Sequence, residues 1–149
     1  MRVFVADGSP KSGERGRTVV QEVLEVLRSM GAEVVTRPAG APMPIRLGLL
    51  HSADAMLIVR TGPSEGAAFE TAYNLFGEPR LPMFFALWKH ARARSAMLRE
   101  LEQVVPAESA VFGRVEELRD KLEAFLGRAA EEGRQRELRM IRMMERLVA

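Results

Sequence analysis

The sequence predicts a three-layer α/β fold built on a five-stranded, mostly parallel sheet, with an extra C-terminal helix. Short apolar runs alternate with stretches of helical period, the runs carry few polar positions, and glycine- or proline-rich breaks separate the two kinds of segment. Strands of that kind belong to a parallel sheet covered on both faces. The 149 residues suit one principal domain, and a chain of this size buries about 68% of its unfolded surface.

Taken in order, residues 3–6 form a buried strand and residues 7–13 a loop. Residues 15–30 carry Val19, Val20, Val23, Leu24, Leu27 and Met30 at helical spacing. Gly31 stops that helix, and residues 33–36 make a short second strand. Residues 37–44 hold three prolines and no regular element is expected. A helical turn or two follows over 45–51. Residues 53–60 form the central strand, 61–66 break it, and 67–76 are helical. Pro82 sits where a strand begins, over residues 81–88. Residues 91–104 are helical, and 109–112 are a terminal strand. After Gly113, Val115, Leu118, Leu122, Phe125 and Leu126 mark an amphipathic helix. The expected strand order is flavodoxin-like or a Rossmann-like relative of it.

Residues 127–149 read as a helical extension to a domain of residues 1–126. Gly127 and Gly133 interrupt them, and Leu138, Ile141, Met144 and Leu147 mark a stripe for surface or dimer packing. Residues 1–126 carry 16 basic and 16 acidic groups, so the net charge of +2 lies wholly in this tail, with six basic and four acidic. Glu131, Glu132, Glu137 and Glu145 argue against nucleic acid or membrane as its partner.

The absence of cysteine excludes disulfides, a thiol nucleophile and a thiolate metal site, and it suits a cytoplasmic location. His51 and His90 are too few for a three-histidine zinc site. No metal or cofactor is expected. The first apolar run is too short for a signal peptide, and none approaches the ~18 residues of a membrane span.

Ligands of parallel sheets bind beyond the carboxyl ends of the strands. Two small-residue loops fall there: Gly8, Ser9, Pro10, Lys11, Ser12 and Gly13, and the segment from Gly62 to Gly66. Backbone N–H groups leading into a helix suit a phosphate. Ser9, Ser12 and Ser64 add hydroxyls and Lys11 a charge. Ordinary turns share this composition, and neither loop is a P-loop or a dinucleotide fingerprint. Glu70, four residues after Gly66, reads either as a solvated helix residue or as a carboxylate aimed at a ligand. Its small neighbours Ala67, Ala68 and Ala72 leave room for one. Asp7 faces the same cleft or caps a turn, and Asp54 reads as a structural cap. The run Lys89, His90, Arg92, Arg94, Arg99 is either a phosphate contact or a solvated helix start. Tyr73, Phe76, Phe84, Phe85 and Trp88 read as core.

The stretch from Ala53-Asp54 through Pro63-Ser64-Glu65-Gly66-Ala67-Ala68-Phe69-Glu70 resembles the core motif of the nucleoside 2-deoxyribosyltransferase superfamily, and most closely its 2'-deoxynucleoside 5'-phosphate N-hydrolase branch. The resemblance extends upstream to the loop from Gly8 to Gly13 with Arg17-Thr18. Downstream it extends to Arg94-Ser95-Ala96-Met97-Leu98-Arg99. It implies a Rossmann-like homodimer that takes a small-molecule nucleotide or sugar phosphate. Glu70 would be the nucleophile. Ser64, Gly66 and the loop from Gly8 to Gly13 would hold the 5'-phosphate, and Ser95 would arrive from the partner chain. A carboxylate attacks C1' as the N-glycosidic bond loosens, and water then releases the sugar phosphate from the glycosyl-enzyme. A sugar without a 2'-hydroxyl forms the cation-like state more readily.

The chain departs from the family pattern at Arg46, which stands where a catalytic Asp is usual, in Arg46-Leu47-Gly48-Leu49-Leu50. A positioned acid or base contributes about 10²–10⁴-fold. Asp7 and Glu65 are candidate substitutes. Arg46 itself either binds an anion or pairs with Glu70, and pairing is expected to lower the Glu70 pKa, as suits a nucleophile. Hydrolysis of deoxynucleoside 5'-monophosphates is the leading expectation. A nucleotide-binding protein without turnover and a nucleoside 2-deoxyribosyltransferase are the alternatives.

Overall fold

The computed structural model describes residues 1–8, 13–91, 96–104 and 107–149. In order these form β1 (Arg2–Asp7), α1 (Gly13–Ser29), β2 (Glu33–Thr36), α2 (Met43–His51), β3 (Ala55–Arg60), α3 (Glu65–Phe76), β4 (Met83–Trp88), α4 (Ala96–Val104) and β5 (Glu108–Phe112). A 3-10 turn (Val115–Leu118) then leads into α5 (Arg119–Val148). The sheet order is β2-β1-β3-β4-β5, with every neighbouring pair parallel. This is the expected doubly wound order.

The apolar runs are continuous because each strand buries both faces. Val3, Val5, Leu57, Val59 and Phe84 pack with Val20, Leu24 and Leu27 of α1 and Leu122 and Phe125 of α5. Phe4, Ala6, Met56, Ile58 and Phe85 pack on the other side with Leu50, Ala67, Ala68 and Leu101. Gly31 adopts φ +83°, and Ala32 N donates to Leu27 O at 3.1 Å. A left-handed residue is what this helix stop requires. The proline-rich stretch is irregular as far as Met43, where α2 begins. Pro44 falls in the first turn, where no N–H is needed.

Two expectations are corrected. Gly127 and Gly133 do not interrupt the C-terminal segment, because α5 runs through both as one 30-residue helix. A glycine costs a helix only about 1 kcal/mol, and Leu122, Phe125 and Ala129 anchor this one to the core. Beyond Ala129 the helix exposes Met140, Met143, Leu147 and Val148. Among the described residues no helix is long and apolar enough to cross a membrane. Nothing lies within 4 Å of a Cβ built on Gly127. Gly127→Ala is therefore expected to raise stability by about 1 kcal/mol, read as a higher urea midpoint at unchanged slope.

The second correction concerns α3. Phe84, Phe85 and Trp88 are core, but Phe76 is 82% exposed. Phe69, also exposed, stacks on Tyr73 at 6.3 Å, and the Tyr73 hydroxyl lies 2.8 Å from His51 Nε2. Small residues put α3 close to the sheet, so Phe69 and Phe76 fall on the side away from it, while Tyr73 packs partly buried against the core as expected. At the far end of α3, Asn74 Nδ2 donates to Leu81 O (3.1 Å) and Leu81 N donates to Asn74 Oδ1 (2.9 Å). That buried pair fixes the entry to β4. Asn74→Ala leaves both backbone groups unsatisfied and is expected to cost about 2–4 kcal/mol in urea unfolding.

Candidate active site

β1 and β3 are neighbours, yet α1 packs on one face of the sheet and α3 on the other. The chain therefore diverges beyond their carboxyl ends and leaves a crevice there. Gly8 and Gly62, which open the two loops predicted to form the site, meet at this point. A Cβ on Gly8 would lie 2.6 Å from Gly62 O and 2.7 Å from Gly62 N. The approach is backbone to backbone, and only glycine permits it. Gly13 opens α1. Ser9, Pro10, Lys11 and Ser12 between them lie outside the described residues, as do Arg92, Arg94 and Ser95.

Ser64 caps α3, and its Oγ accepts from Ala67 N at 3.1 Å. The hydroxyl keeps its own hydrogen to donate. Gly66 and Glu70 lie one turn apart on α3, facing the same groups. Glu70 is fully buried, with 0% of its surface exposed. Its Oε1 accepts from Arg46 Nη2 at 2.9 Å and pairs with Arg37 Nε at 3.0 Å. A Cβ on Gly66 would fall on Arg37 Nη1 and lie 2.7 Å from Arg46 Nη2, so both guanidinium groups rest directly on that glycine. The Arg37 and Arg46 side chains are 21% and 16% exposed, whereas the carboxylate they pair with is not exposed at all. Glu70 Oε2 is buried without a hydrogen-bond partner among the described residues.

Asp7 ends β1 near enough that its charge acts on Glu70. The Glu70 carboxyl is pushed above its ordinary value of 4.5, chiefly by burial; Arg46 and Arg37 pull it down and Asp7 adds to the rise. The expected Arg46–Glu70 pair is thus present, but the expected net direction is reversed. Loss of water outweighs the two guanidinium groups. The expectation that Ala67, Ala68 and Ala72 leave room for a ligand also fails, because Ala67 and Ala68 are packed into the core and Ala72 lies against it.

Other candidates sit elsewhere. Asp54 Oδ2 accepts from Arg2 N at 2.7 Å, the structural cap anticipated for it. Glu65 is exposed in the first turn of α3. Lys89 packs against Gly113, and the His90 ring stands edge-on to Trp88 at 5.5 Å, both beyond β4 and β5. Arg37 was not foreseen. It directly follows β2, at the ligand edge of the sheet, and that placement was the available signal.

Fold and site together define a doubly wound α/β protein with a carboxylate–arginine centre at its switch point. No family model matches the chain, and no curated protein matches it. Solved structures do. The 2-deoxyribosyltransferase of the psychrotolerant bacterium Bacillus psychrosaccharolyticus is similar at 16% identity, covering 80% of this chain and 90% of its own, with a TM-score of 0.52. The Clostridium botulinum CMP N-glycosidase BcmB is similar at 19% identity, covering 84% of this chain and 99% of its own, with a TM-score of 0.53. At these identities the likeness establishes a shared fold.

Proposed function

We propose that the protein hydrolyses the N-glycosidic bond of 2'-deoxynucleoside 5'-monophosphates, with Glu70 as nucleophile. The observation that carries this reading is a buried carboxylate held by one oxygen at the switch point, its other oxygen without a hydrogen-bond partner among the described residues. The fold shared with a CMP N-glycosidase and a 2-deoxyribosyltransferase is consistent with it. In the proposed reaction Glu70 Oε2 bonds to C1' and the base departs with the bonding pair and takes up a proton. Water then cleaves the glycosyl ester, giving 2-deoxyribose 5-phosphate and restoring the carboxylate. Asp7, whose charge acts on Glu70, is the proposed group for moving the protons. Ser64, Gly66 and the loop from Gly8 to Gly13 are proposed to hold the phosphate, with Ser95 supplied by a second copy.

The test is incubation with a panel of deoxynucleoside 5'-monophosphates. Release of base and sugar phosphate in equal amounts is expected. Base exchange that outruns sugar release would mark a transferase. The engagement of Glu70 by Arg46, in place of the family's acid, favours a second reading: micromolar nucleotide binding without products. Sedimentation checks the partner's part, since a monomer at assay concentration removes Ser95 from the site.

A further inference from the structure

We propose that Arg37 and Arg46 form a cover over Glu70 that the anionic group of the substrate draws aside, so that the site opens to phosphorylated ligands and stays closed to neutral nucleosides. This rests on the reading of Glu70 and the α3 N-terminus as the substrate site. Glu70 has no exposed surface, while the two side chains paired with it are themselves partly exposed. They come from the irregular segment after β2 and from α2, whose Met43 and Ile45 are exposed. Both therefore sit on an outer layer rather than in the core.

Two guanidinium groups converge on one carboxylate oxygen, which uses only part of their donor capacity. Each planar fork carries five N–H donors. A phosphate presents several oxygens and up to two charges, so it competes for both forks where a neutral sugar or base does not. The distance to be covered is short. The same guanidinium groups already rest on Gly66, in the first turn of α3, where an anion is favoured by the helix terminus. Moving from Glu70 to a phosphate at that turn would release the Glu70 carboxylate and pin the ligand in one step. The role makes Arg37 and Arg46 specificity-determining residues of the site.

The experiment reads the side-chain carboxyl carbon of Glu70 by NMR in the full chain, with the signal assigned by its loss in Glu70→Gln. Inorganic phosphate and deoxyuridine 5'-monophosphate are expected to shift that signal in the unmodified protein, whereas deoxyuridine is not. In Arg37→Gln/Arg46→Gln, affinity for phosphate should fall at least tenfold and deoxyuridine should now shift the signal. Gly66→Ala, which displaces both side chains but keeps them, should also admit deoxyuridine and serves if the double variant does not fold. Equal response to nucleoside and nucleotide in the unmodified protein overturns the proposal. So does unchanged phosphate affinity in the double variant, or a Glu70 signal that no ligand moves. No turnover is measured, so a failure to release base would sink the hydrolase reading alone.

Discussion

Glu70→Gln is expected to lower base release by about 10³-fold or more while leaving nucleotide binding within a few-fold. The amide keeps the shape of the carboxylate and its carbonyl oxygen can still accept from Arg46, but it cannot form the glycosyl ester. The same substitution changes how stability depends on pH. In the folded protein the Glu70 carboxyl lies above its ordinary 4.5, because burial penalises the charged form. The stability it contributes is therefore fully present below about the ordinary value and is lost as pH rises through the folded value. That loss is absent from the glutamine variant. Urea unfolding from pH 4 to pH 8 should show the unmodified protein losing ground to Glu70→Gln as pH rises. A difference that is flat with pH would mean that the pull of Arg46 and Arg37 offsets burial in solution, and that the Glu70 carboxyl is not raised. Unchanged base release from the variant would remove it as nucleophile whatever the stability showed.

What the sequence made legible follows from which signals are local. β1, β3 and β4 were readable because a doubly covered sheet demands uninterrupted apolar runs, and Val3–Ala6 and Met56–Val59 supply them. The pairing of Gly66 with Glu70 was readable because four residues is one helical turn. Other features depend on tertiary placement. The continuity of α5 through Gly127 and Gly133 is decided by Leu122, Phe125 and Ala129, whose packing outweighs two weak helix formers. Phe76 has the composition of a core residue, yet it lies outside because alanines 67 and 68 take the sheet-facing side. Arg37 was hidden by the prolines around it. They mark its segment as irregular but give no sign that it returns over α3. The reversed pKa direction belongs to the same class. Opposite charges at Arg46 and Glu70 can be paired from sequence, but the water they exclude cannot.

Two glycines in the crevice should separate the fold from the site. At Gly8 an added methyl meets Gly62 O at 2.6 Å, Gly62 N at 2.7 Å and Gly62 C at 3.1 Å. These are backbone atoms at the ends of paired strands, and no rotamer change relieves them. The β1 and β3 loops must move apart. Gly8→Ala is expected to cost about 3 kcal/mol or more, a fall in melting temperature of roughly 6–12 °C for a chain of this length. At Gly66 the methyl meets the ends of two long side chains, which can swing outward. The alanine also regains about 0.5–1 kcal/mol of helix propensity, offsetting part of the disturbed Glu70 pairs. Gly66→Ala is expected to stay within about 1 kcal/mol of the unmodified protein in thermal unfolding, although it opens the arginine cover. If both alanines destabilise equally, Arg37 and Arg46 are locked in place by the fold and have no freedom to move for a ligand. If neither does, the close contact of Gly8 with Gly62 is not what joins the two loops into one site.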